Sequence, residues 1–445
     1  MMYILLIHLF WAVVAIFIIT RRKCTPASAG VWILLITLLP VVGTLLYILV
    51  GFRRNHSPSI HVKQGAFPLS TLITYNCGTP LARCNRIELL HNGNNAFSAL
   101  ITSLQRATHS IHMEYYIIRD DRIGRSIIEI LIRKAHAGVE VRVIYDAVGS
   151  CALSRSMLRS MRMAGIEIGA FEPIGFPWFT TRVNHRNHRK IVVTDGKVAY
   201  LGGINIAKYY LDGNDLGKWR DEHLRLEGDV VADLQKLFVA DWAYVSGKYL
   251  KYSSYVASHD ICLPTPMQIA WAEEGPSRHT LIEVFTAAIV SARTEVRISS
   301  PYFMPPSIIL DAIRIAVHSG VCVKVMIPAC SDSPFTDLIS DSFVEELLDA
   351  GVELYRYEKG FLHAKLLIVD DTTASVGTAN MDYRSLQDNL EVTAFIYDKG
   401  VVRALANTFD EDLDACLRLD RAQWQRRPIW KKAIGDVLRL LSPLM

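Results

Sequence analysis

The sequence lacks a dominant charge and any clustered cysteines. Its 445 residues contain 48 lysines and arginines against 44 aspartates and glutamates, so no overall excess of positive charge points to nucleic acid. None of the eight cysteines forms a Cys-x-x-Cys pair, which argues against zinc fingers and, in so long a chain, against a disulfide framework. Cys77 and Cys84 are therefore expected to be free thiols. The length allows more than one domain.

Charge is also absent from two stretches near the start of the chain. Residues 3–20 and 31–52 contain no Asp, Glu, Lys or Arg, and each approaches the ~20 residues that cross a bilayer core of ~30 Å. We predict a retained two-helix transmembrane hairpin over residues 1–55. A cleaved signal peptide is disfavoured because no basic residue precedes the first run and a second apolar run follows. Basic residues flank both ends of the second segment equally, so the orientation stays open.

Beyond residue 56 the chain repeats itself. Residues 133–144 match residues 314–327: the end of an amphipathic helix, a glycine stop, and an alternating strand. This pattern predicts a mixed α/β fold of two duplicated α/β/α halves around a pseudo-twofold axis. We place the halves at residues 56–255 and 256–420, with a linker near 253–270 and a tail at 421–445.

The repeat carries a doubled motif, a His followed by a Lys two residues later and an Asp five residues after that. It occurs as His188, Lys190 and Asp195 and again as His363, Lys365 and Asp370. A small-residue turn and an Asn follow each copy, at Asn205 and Asn380. We expect the two copies to meet at one shared active site.

These residue types suit a phosphodiester. We expect His and Lys of each copy to lie on one face of a strand. The lysines and Asn205 and Asn380 can donate to phosphate oxygens. One imidazole can attack phosphorus to form a phosphohistidine, while the other exchanges a proton with the leaving and incoming alcohols.

A carboxylate is expected to orient each imidazole. The candidates are Glu391 in the second half and Asp221 in the first, with Glu222 as the fallback for Asp221. Asp195 and Asp370 belong to the motif, but we expect them to support it by fixing a turn or binding a lysine or the backbone.

A metal site is not predicted. His185, His188 and His223 could be imagined as zinc ligands, but the lysine beside them repels a cation and no carboxylate cluster lies nearby in sequence. We expect no cofactor. His109, His112, His136, His185 and His318 are interpreted as core or surface residues.

At these residues the chain resembles the phospholipase D superfamily, over about residues 85–420, and within it the bacterial cardiolipin synthases. The matching segments are residues 40–47, 114–121, 184–190, 219–221, 301–303 and 381–385. Leu390 departs from the Phe that often precedes the Glu in that family, which we expect to affect packing more than chemistry.

This resemblance implies the condensation of two phosphatidylglycerol molecules to cardiolipin and glycerol, without nucleotide or metal. It also implies that His188 is the nucleophile and His363 the acid. We accordingly expect a multi-pass enzyme of the bacterial cytoplasmic membrane. Its partners would be phosphatidylglycerol and anionic lipids, with no nucleic acid, and no oligomer is needed to complete the site.

The C-terminal tail, residues 421–445, also favours a location at the membrane. Residues 424–441 place Trp430, Ile434, Val437 and Leu438 on one helical face behind four basic residues, as in helices that lie on anionic bilayers. A helix that caps the second half is an equally weighted alternative.

Three other functions remain as alternatives. A phospholipase D would use water as the acceptor with the same residues. A nuclease of the superfamily would need a basic groove with interleaved aromatics, and a non-enzymatic adaptor would be marked by a broken motif. Both motifs are complete.

Overall fold

The structure is a computed structural model and describes residues 26–39, 42–44, 46–47, 68–173, 185–272, 279–439 and 442. The first predicted membrane segment, residues 3–20, lies outside this range. Helix α1 (Pro26–Leu38), which extends into the second predicted segment, has 13 residues. Within these described ranges, no helix combines the length and the apolar character needed to cross a bilayer. The hairpin therefore stays a prediction.

The first half alternates strands and helices as its sequence pattern predicts. Its strands are β1 (Ala82–His91), β2 (Ser110–Tyr115), β3 (Glu140–Asp146), β4 (Glu167–Phe171), β5 (Ile191–Thr194), β6 (Val198–Gly202), β7 (Lys218–Arg220) and β8 (Glu222–Gly228). Its helices are α2 (Pro68–Cys77), α3 (Asn92–Arg106), α4 (Arg122–His136), α5 (Arg155–Met163), α6 (Tyr209–Asp212) and α7 (Val230–Ser246). A 3-10 turn at Tyr252–Ser254 follows.

The second half repeats this order. Its strands are β9 (Pro264–Trp271), β10 (Glu295–Ser299), β11 (Phe303–Met304), β12 (Cys322–Pro328), β13 (Glu353–Tyr357), β14 (Gly360–Leu362), β15 (Leu366–Val369), β16 (Thr373–Gly377), β17 (Met381–Asp382), β18 (Val392–Ile396) and β19 (Cys416–Arg418). Its helices are α8 (Thr280–Val290), α9 (Ser307–His318), α10 (Pro334–Ala350), α11 (Tyr383–Gln387) and α12 (Lys399–Leu413), and the tail forms α13 (Arg421–Gln425) and α14 (Ile429–Arg439).

One large sheet shows the duplication directly. Reading outward from its centre, the first half contributes β1-β8-β6-β5-β2-β3-β4 and the second β9-β18-β16-β15-β10-β12-β13, with β19 at the edge. The two sets have the same pattern, antiparallel inside and parallel among the outer three strands. The predicted duplicated mixed α/β fold is confirmed.

The glycine stops of the repeat occupy equivalent turns. Gly138, just after α4, has φ +87°, and Gly320, just after α9, has φ +88°. This left-handed conformation is one that glycine adopts without steric cost. Each glycine therefore ends its helix and lets the chain enter the next parallel strand.

The predicted linker is shorter than expected. Residues from Pro264 to Trp271 form β9, which pairs with β18 and with β1. The Pro-Thr-Pro sequence is typical of a linker because prolines mark turns and loops, but here it begins a strand that joins the halves. The linker prediction was therefore wrong for residues 264–270.

Two smaller pairings join the halves above the sheet. The first-half strand β7 pairs in parallel with the second-half strand β14, and Asn187 forms a parallel bridge with Leu390. These contacts place the segment before each motif histidine beside the opposite half.

The tail helix α14 packs on α10. Arg427 lies within ion-pair distance of Asp341, Lys432 of Glu345 and Arg439 of Glu346. Of the predicted apolar face, Trp430, Ile434 and Val437 point outward, with exposures of 61%, 43% and 63%, whereas Leu438 packs partly buried against the core. Ile429, at the start of the helix, is 84% exposed. The helix thus caps the second half by means of basic residues, several of which are paired with α10.

Among the described cysteines no disulfide forms, so Cys77 and Cys84 are not paired with each other. The Cys77 thiol instead donates to the carbonyl of Trp271 at 3.7 Å.

Candidate active site

A cavity of about 680 Å³ lies between the two halves, and both motif histidines line it. Its wall also contains the aromatic side chains of Tyr116, Tyr209 and Trp219 from the first half, with Tyr302 from the second. The structure therefore brings the two motifs together at one cavity, as the sequence predicts.

Each motif begins in an extended segment rather than inside a strand. The strands start at Ile191 and Leu366, one residue after each motif lysine. The placement of His188 and His363 on a strand face was therefore wrong by a few residues. The reason is that each segment pairs with the opposite half: the backbone N–H of His188 donates to the carbonyl of Leu390 (3.0 Å), and that of His363 to Arg220 (2.7 Å).

Glu391 holds the first-half histidine. Its carboxylate oxygens lie 2.9 and 3.0 Å from Nδ1 of His188 and also accept from the Thr378 hydroxyl. The adjacent imidazole and lysine keep the pKa of Glu391 below its usual value despite burial, whereas burial lowers the pKa of His188 to about 4. A carboxylate only accepts, so at neutral pH Nδ1 of His188 carries the proton and Nε2 keeps its lone pair.

Asp221 holds the second-half histidine. Its Oδ2 lies 2.6 Å from Nδ1 of His363. Burial raises the pKa of Asp221 to about 6 and, together with the two motif lysines, lowers that of His363. The fallback, Glu222, instead contacts His91 and Arg220, and that alternative is wrong because its side chain points away on the other face of the chain.

The two dyads are crossed between the halves. The first-half histidine is oriented by a second-half carboxylate, and the second-half histidine by a first-half carboxylate. Neither half therefore contains a complete histidine–carboxylate pair.

The motif lysines are buried beside the histidines. Nζ of Lys190 donates to the carbonyl of His188 at 2.6 Å, and Lys365 donates to the carbonyl of His363. Burial lowers the pKa of Lys190 to about 7 and that of Lys365 to about 8. Neither is among the residues that line the cavity, so each contributes positive charge from just behind the wall.

The two predicted asparagines both line the cavity. Nδ2 of Asn205 donates to the Tyr210 hydroxyl at 3.1 Å, and its Oδ1 accepts from the backbone of Ile117 at 3.2 Å. Nδ2 of Asn380 donates to Asp382 at 3.0 Å. Each amide nitrogen retains a second hydrogen.

The motif aspartates lie away from the cavity. Asp195 accepts backbone N–H groups of residues 108, 109 and 110, and Asp370 those of residues 293, 294 and 295. Both adopt a left-handed backbone, with φ of 54° and 52°. Their carboxylates therefore tie the turn after each motif strand to the start of the neighbouring strand, and a direct catalytic contact is not available to them.

Among the described histidines, those outside the two motifs do not line the cavity. His112, for example, stacks on Phe238 with ring centroids 4.5 Å apart, and burial lowers its pKa to about 4. Within the described ranges, no group of three or more His, Cys, Asp or Glu residues could hold a metal ion.

Several supporting residues were not predicted from the sequence. Thr378 and Asn389 both contact the Glu391 carboxylate, and Tyr210 lies 3.2 Å from Nδ1 of His363. Thr378 lies inside the turn that precedes Asn380, so its proximity to the motif was a usable signal. No sequence signal points to Tyr210, because only the tertiary fold brings α6 to His363.

Comparisons with known proteins agree with this geometry. The family model described as "Cardiolipin synthase, PLD-like domain" matches residues 100–242 and 285–413. A cardiolipin synthase of Geobacillus kaustophilus is 36% identical, with 96% of this chain and 91% of the relative covered. Cardiolipin synthase 2 of Bacillus cereus is 37% identical, with 94% of this chain and 87% of the relative covered.

A solved structure shares the fold. The crystal structure of phosphatidylserine synthase from Haemophilus influenzae covers 85% of this chain and 100% of its own, with a TM-score of 0.64 at 14% identity. The chain thus has the duplicated fold and paired histidine site of phospholipase D-type enzymes, and it belongs to the cardiolipin synthase family of that superfamily.

Proposed function

We propose that this enzyme is a phosphatidyltransferase that condenses two phosphatidylglycerol molecules to cardiolipin and glycerol through a phosphatidyl-histidine intermediate. The observation that carries the proposal is the pair of imidazoles at one cavity, each oriented by a carboxylate of the opposite half. The chemistry follows from that pair.

In the first step, Nε2 of His188 attacks the donor phosphorus. The bond between phosphorus and the glycerol oxygen breaks, and protonated His363 gives its proton to that oxygen. The bound phosphodiester is an anion, and its charge raises the proton affinity of His363 above that in the empty site. Lys190, Lys365 and the free amide hydrogens of Asn205 and Asn380 stabilise the charge that develops on the phosphate oxygens.

In the second step, the terminal hydroxyl of a second phosphatidylglycerol replaces glycerol. His363 takes the proton from this hydroxyl, the oxygen attacks phosphorus, and the P–N bond to His188 breaks. Cardiolipin leaves, and both histidines return to their starting states. No oxidant, nucleotide or metal enters this balance.

Transfer to an alcohol competes with hydrolysis, which uses the same residues. The aromatic wall formed by Tyr116, Tyr209, Trp219 and Tyr302 favours transfer, because water is excluded where a lipid headgroup fills an apolar surface. A phospholipase D that releases phosphatidic acid is the second candidate.

We also propose that the enzyme is held in the bacterial cytoplasmic membrane. The uncharged segments 3–20 and 31–52 suit a membrane hairpin, and the outward residues Ile429, Trp430, Ile434 and Val437 of α14 suit the bilayer interface. Both would keep the cavity close to its lipid substrates.

Product analysis tests the proposal. Purified enzyme is incubated with phosphatidylglycerol in mixed micelles with a chelator, and the lipids are identified by mass. Cardiolipin and an equal amount of glycerol are expected, and His188→Ala and His363→Ala should each abolish both. Phosphatidic acid as the sole product would replace the transferase with a hydrolase.

A further inference from the structure

Three basic residues line the cavity in addition to the two motif histidines. They are Arg119 and Lys208 of the first half and Arg384 of the second, and we call them the cavity cations. Arg119 and Lys208 are exposed and Arg384 is half-buried. Unlike the motif lysines, which lie behind the wall, these residues are open to a ligand in the cavity.

Aromatic rings separate Arg119 from the second-half histidine. Its guanidinium lies 5.4 Å from the centre of the Tyr209 ring. Tyr209 packs on Trp219 and Trp219 on His363, with ring centres 4.2 and 5.1 Å apart. An anion bound by Arg119 would therefore be set back from a phosphate that reacts at the histidines.

Arg384 has a similar position relative to the first-half histidine. The ring of Tyr116 packs against His188 with ring centres 4.9 Å apart. Burial raises the pKa of Tyr116, and the positive charge of Arg384 opposes that rise, so the guanidinium lies on the cavity side of this aromatic residue. The cavity cations thus approach the same space from both halves.

The cavity cations have no acidic partner. Among the described residues, none of their charged groups forms an ion pair or a side-chain hydrogen bond. A nearby arginine does, because Arg122 pairs with Asp212 at 3.0 Å. The carboxylate of Asp121 accepts the backbone N–H of Lys208 rather than its ammonium group, and it also caps α4.

Among the described residues, two carboxylates line the cavity, and both have other partners. Asp332 accepts from the Tyr302 hydroxyl at 2.5 Å. Asp382 accepts from the Asn380 amide at 3.0 Å and from Ser385, and burial raises its pKa to about 6. The cations of the wall therefore outnumber its carboxylates.

The reacting phosphodiester has its own positive charges, because Lys190 and Lys365 lie directly beside the two histidines. Unpaired cations at a cavity attract a further anion, and a guanidinium can donate two parallel hydrogen bonds to phosphate oxygens. In the proposed transfer the acceptor brings such an anion. Phosphatidylglycerol carries its own phosphodiester one glycerol unit away from the hydroxyl that attacks.

We infer that Arg119, Lys208 and Arg384 form a second phosphate subsite, which binds the phosphodiester of the acceptor. This inference rests on the proposed function and deepens it, because it assigns the specificity of the acceptor step. The enzyme then selects an alcohol that is also an anion. Free glycerol, which is neutral, leaves the subsite empty and is a poor acceptor, so the reverse reaction is suppressed.

Competition between two water-soluble acceptors tests the subsite. The full-length enzyme is given phosphatidylglycerol in mixed micelles with equal concentrations of deuterated glycerol and glycerophosphoglycerol, which is phosphatidylglycerol without its acyl chains. Initial rates of the two phosphatidyl products are measured by mass. Both products form from the same phosphatidyl-enzyme, so their ratio reports the acceptor step alone. The wild-type enzyme should favour glycerophosphoglycerol.

Arg384→Gln should lower this preference by about threefold to tenfold, the usual worth of one hydrogen bond, and Arg119→Gln with Lys208→Gln should act in the same direction. Arg384→Lys keeps the charge and should retain most of the preference. Cardiolipin formed in the same reactions should fall by a similar factor relative to the deuterated product, because its acceptor carries the same phosphodiester.

Arg403→Gln is the matched control. Arg403 is an exposed arginine of α12 in the second half, it forms no ion pair with the described residues, and it lies outside the cavity. Its product ratio should equal that of the wild-type enzyme.

The subsite would be refuted by a wild-type enzyme that does not prefer the anionic acceptor, by unchanged ratios in the cavity variants, or by an equal shift in Arg403→Gln. A loss confined to the soluble acceptor, with cardiolipin unaffected, would also refute it. The wild-type ratio decides the matter even if a variant fails to fold. Transfer to neither alcohol, with phosphatidic acid as the product, would instead refute the transferase function itself.

Discussion

His188 and His363 need opposite protonation states at the start of the proposed reaction, although burial lowers the pKa of both. Their carboxylates differ: the pKa of Glu391 is lowered by its contacts, whereas burial raises that of Asp221 to about 6. Burial keeps His188 neutral, and the ionised Glu391 fixes its proton on Nδ1, so that Nε2 is free. This difference supports His188 as the nucleophile.

Removing the charge of either carboxylate should slow the reaction while leaving the fold intact. Glu391→Gln and Asp221→Asn are each expected to lower kcat by about 10²- to 10⁴-fold, because the imidazole loses its orienting acceptor. Steady-state cardiolipin formation measures this effect. Glu222→Gln serves as the control, because Glu222 contacts neither motif histidine; an equal loss there would contradict the assigned dyads.

The buried charges predict an unusual pH dependence. On the acid side, kcat/KM should fall first as Asp221 is protonated and stops accepting from His363, at a pH of about 6, and again as His188 is protonated at about 4. On the alkaline side, Lys190 and Lys365 lose their protons as the pH rises through about 7 and 8, and activity should fall with them.

A single variant distinguishes the effect of Lys190 on the pH profile from that of Lys365. Arginine stays charged, so Lys190→Arg should move the alkaline limb from about 7 toward about 8, the pKa of Lys365. The pH profile of kcat/KM measures the limb. An alkaline limb that stays near 7 in Lys190→Arg would contradict its assignment to Lys190.

At the scale of elements, the turn after each motif strand depends on one aspartate. Asp195→Asn should lower the free energy of unfolding by about 1–3 kcal/mol, because its carboxylate accepts several backbone N–H groups. These bonds lower the pKa of Asp195, so its contribution is complete above the unfolded pKa and is lost as the pH falls through the folded one.

Denaturant unfolding at neutral pH measures this loss, and kcat per folded molecule should change little. Asp371→Asn is the control, because the Asp371 carboxylate forms an exposed ion pair with Lys399 at 3.5 Å that is worth little. A loss of activity in Asp195→Asn without a loss of stability would instead indicate a catalytic role for Asp195.

The helix α14 is the second element with a testable role. The basic residues Arg427 and Lys432 are paired with α10, whereas Trp430 and Val437 are exposed. We therefore expect the apolar face to provide most of its membrane affinity. Trp430→Glu with Val437→Glu should reduce flotation with phosphatidylglycerol vesicles severalfold in a chain shortened to residues 68–445.

The control is Met163→Glu on α5, since Met163 is also highly exposed, at 74%, and lies in the other half. Equal flotation of the α14 variant and the unmodified shortened chain would mean that α14 only caps the second half.

At the scale of the whole molecule, the crossed dyads make the two halves interdependent. Fragments 68–256 and 257–445 each contain one motif but not the carboxylate for its own histidine. Co-expressed, they should restore cardiolipin formation, while each fragment alone should show none. Activity from a single fragment would show that a complete dyad forms within one half.

The amino-acid sequence was enough to predict the duplicated α/β fold and the two motifs, and to name Glu391 and Asp221 as candidate carboxylates, with Glu222 left open beside Asp221. It could do so because strand and helix periodicity is local and because the same unusual spacing occurs twice. Even the turn role of Asp195 and Asp370 follows from their place at the end of an apolar run, where a carboxylate can reach backbone N–H groups.

The pairing of each carboxylate with its histidine is visible only in the folded protein. Glu391 is 203 residues from His188, and Asp221 is 142 residues from His363, and no local pattern encodes contacts between halves. Likewise, the sequence of β9 is typical of a linker, and it forms a strand because it pairs with β1 and β18, which are distant along the chain.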